Sequence, residues 1–269
     1  MNNLIINNFK KSKFVNIMRN KLLFKPSLYL KPKKNNLAVS DFFFWSCKDS
    51  FQTKFYITNL ASQILPDIPQ DDQINILIYN NLGNKIDDIN LILNPFETHE
   101  FIFDKKKFQN IYGSFFIFHK FKNLGDLIRN QCHVAERGYT GYKKQNGVWN
   151  FVHGNHYSAS LLPNKEIQSL VSTSFFKSNY KMQVSFKDSI KQELVINNPD
   201  NKRVLFEVLY YDEKMKYINK DNFLLNGLNT TIHELKQNNF NYIEIKSNII
   251  FCRPLVIKYY DQYFDIFHA

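Results

Sequence analysis

Apolar side chains recur at every second position in Phe206-Glu207-Val208-Leu209-Tyr210 and in Ile243-Glu244-Ile245-Lys246. A period of two is the mark of a strand buried on one face, because successive side chains of an extended chain point to opposite sides. Short runs of β-branched and aromatic residues repeat the signal at 55–59, 74–79, 89–93, 115–118, 193–196, 204–211, 242–246 and 255–260. Between them stand turn-forming clusters such as Asn81-Leu82-Gly83-Asn84 and Asn197-Asn198-Pro199-Asp200. A helical spacing appears in only two places. Residues 12–23 gather Phe14, Val15, Met18 and Leu22 near one side of a turn of 3.6 residues, and 165–171 is the second candidate.

The pattern also repeats itself. Ser46-Cys47-Lys48-Asp49-Ser50-Phe51, followed by 55–59, returns as Ser185-Phe186-Lys187-Asp188-Ser189-Ile190, followed by 194–198, at a constant spacing. Further along, 75–81 aligns with 206–212, and Thr98-His99-Glu100-Phe101 aligns with Ile232-His233-Glu234-Leu235. Trp149 to Gly154 aligns with Phe264 to Ala269, which pairs Cys132 and His153 with Cys252 and His268. Self-similarity on this scale indicates an internal duplication. Strands at this density with turn signals between them predict an all-β protein of two tandem antiparallel β-sandwich domains, jelly-roll or immunoglobulin-like. The expected boundaries are a basic N-terminal arm over 1–39, a first repeat over 40–155 with an inserted hairpin, a linker over 156–177 and a second repeat over 178–269.

The second copy, with its segments ELVINNP (193–199), VLFEVLYYD (204–212) and EIKSNIIFCRPLVIKYY (244–260), resembles the small β-sandwich of the sensory rhodopsin transducer family. That resemblance covers about 70 residues and implies a compact sandwich that oligomerises and binds partners or small ligands without catalysis. It implies a fold and assigns no functional residue.

Composition sharpens this picture. An apolar content of 44% with 16% aromatic residues supports a sizeable core. Three cysteines, widely spaced, form neither a disulfide framework nor a Cys-x-x-Cys metal site, which points to a reducing, cytoplasmic compartment. The net charge of +11 is concentrated in the first forty residues, which hold nine Lys or Arg and no acid. The body is close to neutral, so a phosphate-binding face for nucleic acid is not expected. The arm itself reads either as a solvated tail or as a basic amphipathic segment, over residues 10–34, that touches an anionic membrane surface.

The chemistry-bearing residues concentrate in 131–160, which holds three of the seven histidines. Two readings stay open. In the first, the segment is a ligand-binding surface built from Glu136, Arg137, Tyr139, Tyr142, Trp149, His153, Asn155 and His156, with no cofactor. Aromatic faces stack on sugar rings or cations, and Arg and Asn fix hydroxyls or carboxylates, so the ligand is a protein partner or a glycan-like molecule. In the second, His133, His153 and His156 ligate a divalent transition metal, with Glu136 as general base of an enzyme acting on a small or carbohydrate substrate. His153, kept in both copies as His153 and His268, also fits a histidine that caps a strand through a side-chain-to-backbone hydrogen bond. No nucleophile elbow, Walker loop or dinucleotide fingerprint occurs in the sequence. The segment is longer in the first copy than in the second, as an insertion that presents a ligand would be.

Overall fold

A computed structural model of the chain describes residues 38–120, 133–145, 147–154, 157–183, 189–235, 240–250 and 253–268. The expectations for the basic arm, Cys132, Cys252, Asn155 and His156 lie outside the described residues. Among the described residues, twenty strands form five four-stranded sheets. In the first half, β2 (Phe43–Ser46), β7 (Tyr112–Lys120), β4 (Asp72–Asn80) and β5 (Lys85–Leu93) make an inner sheet in that order. Over it lies an outer sheet of β10 (Asn150–His153), β9 (Tyr139–Lys144), β3 (Phe51–Thr58) and β6 (Thr98–Ile102).

The second half repeats both orders. Its inner sheet is β13 (Thr173–Gln183), β18 (Tyr242–Ile249), β15 (Val204–Tyr211) and β16 (Tyr217–Leu225). Its outer sheet is β20 (Phe264–His268), β19 (Leu255–Tyr259), β14 (Lys191–Asn197) and β17 (Thr230–Leu235). A fifth sheet, β12 (Ile167–Ser169), β11 (Tyr157–Leu161), β1 (Ala38–Asp41) and β8 (Val134–Glu136), has no counterpart in the repeat and contains the parallel pair β1–β8.

This overturns the expectation of two tandem β-sandwich domains. Two self-contained sandwiches take four sheets and two separate cores. The chain builds five small sheets, matching the blades of a five-bladed β-propeller in number and size, and each is stitched together by crossovers between distant strands. Its apolar clusters also cross between halves: Phe44, Phe51, Tyr142 and Val152 pack with Val195, Leu255, Ile257, Phe264 and Ile266. The stretch expected to link two domains instead supplies β11 and β12, and the helix expected over 165–171 is the edge strand β12, paired with β11. Among the described residues the helix is α1 (Leu60–Ile64), a single capped turn, with Asn59 Oδ1 accepting from the Ser62 amide at 2.9 Å.

Strands β2, β7 and β4 of the first inner sheet are buried on both faces, while the edge strand β5 is largely half-exposed. Phe43, Trp45, Ile76, Phe115 and Ile117 face the outer sheet, while Leu77, Tyr79, Phe116 and Phe118 pack toward Ala159 and Ile167 of the fifth sheet. A strand covered on both sides has no polar parity to keep, which is why 42–45 and 115–118 read as unbroken apolar runs.

Equivalent hydrogen bonds fix how the copies correspond. Asn59 Nδ2 donates to the carbonyls of Gln70, Leu93 and Asn94, and Asn198 Nδ2 donates to those of Lys202, Leu225 and Asn226. The Asn80 and Asp212 side chains cap the turns that follow them in the same way. These anchors match Ile76 with Val208 and Phe101 with His233, shifting the sequence alignment there by one and two residues. His99 and His233 are therefore not counterparts. His153 and His268 are: each ends the edge strand of its outer sheet, opposite Tyr139 and Leu255 respectively.

Candidate functional site: the open face of the first outer sheet

The β9–β10 hairpin carries most of the residues singled out in the sequence, and strand parity divides them. Tyr142 points inward: its ring stacks on Phe44 at 5.8 Å, its hydroxyl donates to the Phe44 carbonyl at 2.8 Å, and burial pushes its pKa up. It is a core residue and offers no surface to a ligand. Tyr139, Phe151 and His153 point the other way, and Trp149 lies just before β10. The β3 residues of the same parity are Lys54 and Tyr56, and those of β6 are Thr98, Glu100 and Ile102.

Together they make a flat aromatic face. Tyr56, Tyr139 and Phe151 are 43%, 58% and 46% exposed. Tyr56 and Phe151 stack with centroids 6.5 Å apart, and Tyr139 meets the His153 ring edge-on at 6.1 Å. Phe151 lies across Gly141 so closely that a Cβ there would come within 2.7 Å of the ring, so only glycine lets it lie flat. Beneath the rings sits the Lys54 ammonium, 4.3 Å from the Trp149 centroid and 4.7 Å from that of Tyr56. It donates to Tyr56 Oη at 2.7 Å and to Glu100 Oε1 at 2.8 Å. Burial works against the charge on Lys54, but those two partners outweigh it and raise the pKa. The amine thus fixes the rings from below by charge-assisted hydrogen bonds and cation–π attraction.

His153 and His268 meet at 4.7 Å between ring centroids where the two halves touch. His153 Nδ1 bonds the Gly154 carbonyl at 2.6 Å, and His268 Nε2 donates to the His153 carbonyl at 2.7 Å. Burial lowers the His268 pKa to about 4, so that ring is neutral. His133, the third proposed metal ligand, lies just before β8. No group of three or more His, Cys, Asp or Glu side chains among the described residues is disposed to hold a metal ion.

Glu136 and Arg137 belong to a different constellation. His119, at the end of β7, is buried between Asp72 Oδ2 at 2.7 Å and Glu136 Oε2 at 2.8 Å. Desolvation alone would lower its pKa, but its hydrogen bonds to the Asp72 and Glu136 carboxylates raise it to about 9. Both ring nitrogens therefore carry protons and both are engaged, leaving no lone pair to take a proton from a substrate. Glu136 is used up as well, since its Oε1 accepts from the Gly138 amide at 2.7 Å. Arg137 Nε reaches Asp41 Oδ2 at 3.3 Å, and burial of Asp41 raises its pKa to about 7 in spite of that guanidinium. This cluster ties the fifth sheet to the first inner sheet through β1, β4, β7 and β8.

Sequence reasoning found Tyr139, Trp149 and His153 and missed Lys54, Tyr56, Glu100 and Phe151. A signal was present: Tyr56 and Phe151 are aromatic at positions where the alternation of β3 and β10 calls for polar side chains. Neither a family model, nor a curated protein, nor a solved structure matches the chain. The functional reading rests on the geometry alone.

Proposed function

We propose that the protein is a non-catalytic binding protein that takes a glycan-like ligand on the open face of β10-β9-β3-β6. One observation carries the reading. Three exposed aromatic rings share one sheet face with polar groups at its margin. Sugar rings present apolar C–H faces and a hydroxyl rim; the former stack on Tyr56, Phe151 and Tyr139, and the latter find Glu100, Thr58 and Thr98 alongside. Sheet-borne rings held from below by Lys54 are preorganised, which limits the entropy lost on binding.

The metal-enzyme alternative draws no comparable support, because His153 Nδ1 is engaged with a carbonyl and Glu136 has both oxygens occupied. The test is titration calorimetry against a panel of oligosaccharides. Phe151→Ala and Tyr56→Ala should each weaken binding about tenfold, the equivalent of roughly 1.4 kcal/mol, without moving the unfolding midpoint. Binding that survives loss of both rings, or absent binding across the panel, would sink the reading.

A further inference from the structure

The repeat brings two equivalent hairpin tips side by side. Gln145, Gly147, Val148 and Trp149 stand between β9 and β10, and 260–263 between β19 and β20. The Asn150 amide donates to the Phe264 carbonyl at 3.1 Å and joins them. Between the tips lies a cleft of about 190 Å³, lined among others by Lys144, Gln145, Asn150, Asp261, Gln262 and Tyr263. Tyr263 stacks on Tyr260 at 4.4 Å and is 57% exposed. At its base the Tyr259 ring is held by the Lys144 and Lys191 ammonium groups at 5.1 and 5.4 Å, and its hydroxyl donates to Glu193 Oε2 at 2.6 Å. Neither repeat makes this cleft alone.

Its size and lining select a ligand. The volume falls below the ~300 Å³ at which drug-sized pockets begin, so it admits a single small ring and no chain. One aromatic face ringed by amides and by one group of each charge, Lys144 and Asp261, suits a hydroxyl-rich ring with no net charge. The cleft also adjoins the aromatic face through Trp149, whose ring covers Lys54 while its neighbours Val148 and Asn150 line the cleft. We infer that the cleft is a terminal subsite: a glycan chain lies across Phe151 and Trp149, and its last neutral pyranose enters between the hairpin tips against Tyr263. This rests on the glycan reading of the open face and adds to it a preference for chain ends.

Calorimetry on the full chain tests it with cellohexaose, chitohexaose and maltohexaose, and with soluble polysaccharides of the same three linkages, in which ends are rare. The expected result is a hexaose bound at least tenfold more tightly than an equal mass of its polymer. Tyr263→Ala and Asp261→Asn should each abolish that preference, whereas Phe151→Ala should weaken hexaose and polymer alike. Equal binding of hexaose and polymer, or a preference that survives both cleft variants, rejects the terminal subsite and leaves the open face standing. Absence of binding to all six probes rejects both.

Discussion

The two outer sheets have the same strand order, and their outward faces meet opposite fates. On the second, Val195, Leu255, Ile257 and Ile266 are buried against Phe44, Phe51, Tyr142 and Val152 of the first half. The corresponding positions on the first are Tyr56, Tyr139, Gly141 and Phe151, and there the face is open. Burying four aliphatic side chains contributes on the order of 6–12 kcal/mol before ordering costs, enough to fasten the two halves together. The open face has aromatic rings and a glycine in place of those aliphatics, anchored by a lysine–glutamate pair. One outward face of the duplicated unit is an internal joint and its twin faces solvent.

Replacing Ile257 with Asp should break this contrast most severely. An unpaired charge in the joint is expected to cost more than about 4 kcal/mol, while Phe151→Asp on the open face should cost about 1 kcal/mol or less. Urea unfolding of both variants measures the difference, and similar losses would mean that the faces are not in opposite environments.

The next effect concerns a second contrast between the halves. His119 and Asp72 correspond to Ser247 and Val204, so the buried histidine–carboxylate cluster has no equivalent at those positions of the second half. His119→Gln should destabilise by about 3–5 kcal/mol, because it strips the buried carboxylates of a charged partner. Ser247→Ala should stay near 1 kcal/mol.

Stability should also fall as pH rises. His119 is held protonated up to about 9 against an ordinary 6.5, so its contribution is complete below pH 6.5 and lost on passing pH 9. Asp41 is raised from 3.8 to about 7, so the folded state keeps a proton that the unfolded chain releases, and stability declines between those values too. The His119 part amounts to roughly 3 kcal/mol. Unfolding midpoints at pH 6, 7.5 and 9 should decrease in that order, with Asp41→Asn flattening the lower limb; a level or rising series would refute the assignment.

The smallest effect sharpens the comparison of the faces. Gly141 stands where the joint has Ile257, and Gly141→Ala should push Phe151 off its seat, weakening oligosaccharide binding a few-fold with stability nearly unchanged. Unaltered affinity would show that the ring's flat pose does not matter.

Strand character and the duplication were legible in the sequence because they are local: period-two alternation, turn residues and repeated motifs act within a few positions of one another. The histidine pair was legible too, although only the folded chain brings His153 against His268. Other features were hidden by distance. His119, Asp72, Asp41 and Glu136 lie on four strands far apart along the chain, and nothing near any one of them announces the others. The expected helix over 165–171 became β12 because β11 offered it backbone partners, a tertiary claim that outweighs local propensity.

The sequence by itself determined that this is an all-β protein of duplicated strands, since side-chain alternation and turn chemistry need no partner to be read. Tertiary structure alone decided that the strands form five sheets, that one outer face is a joint while its twin is open, and that a cleft lies between the two hairpin tips. Alternation records whether a face is apolar and says nothing of what covers it; only the packing of one sheet on another chooses which face meets water.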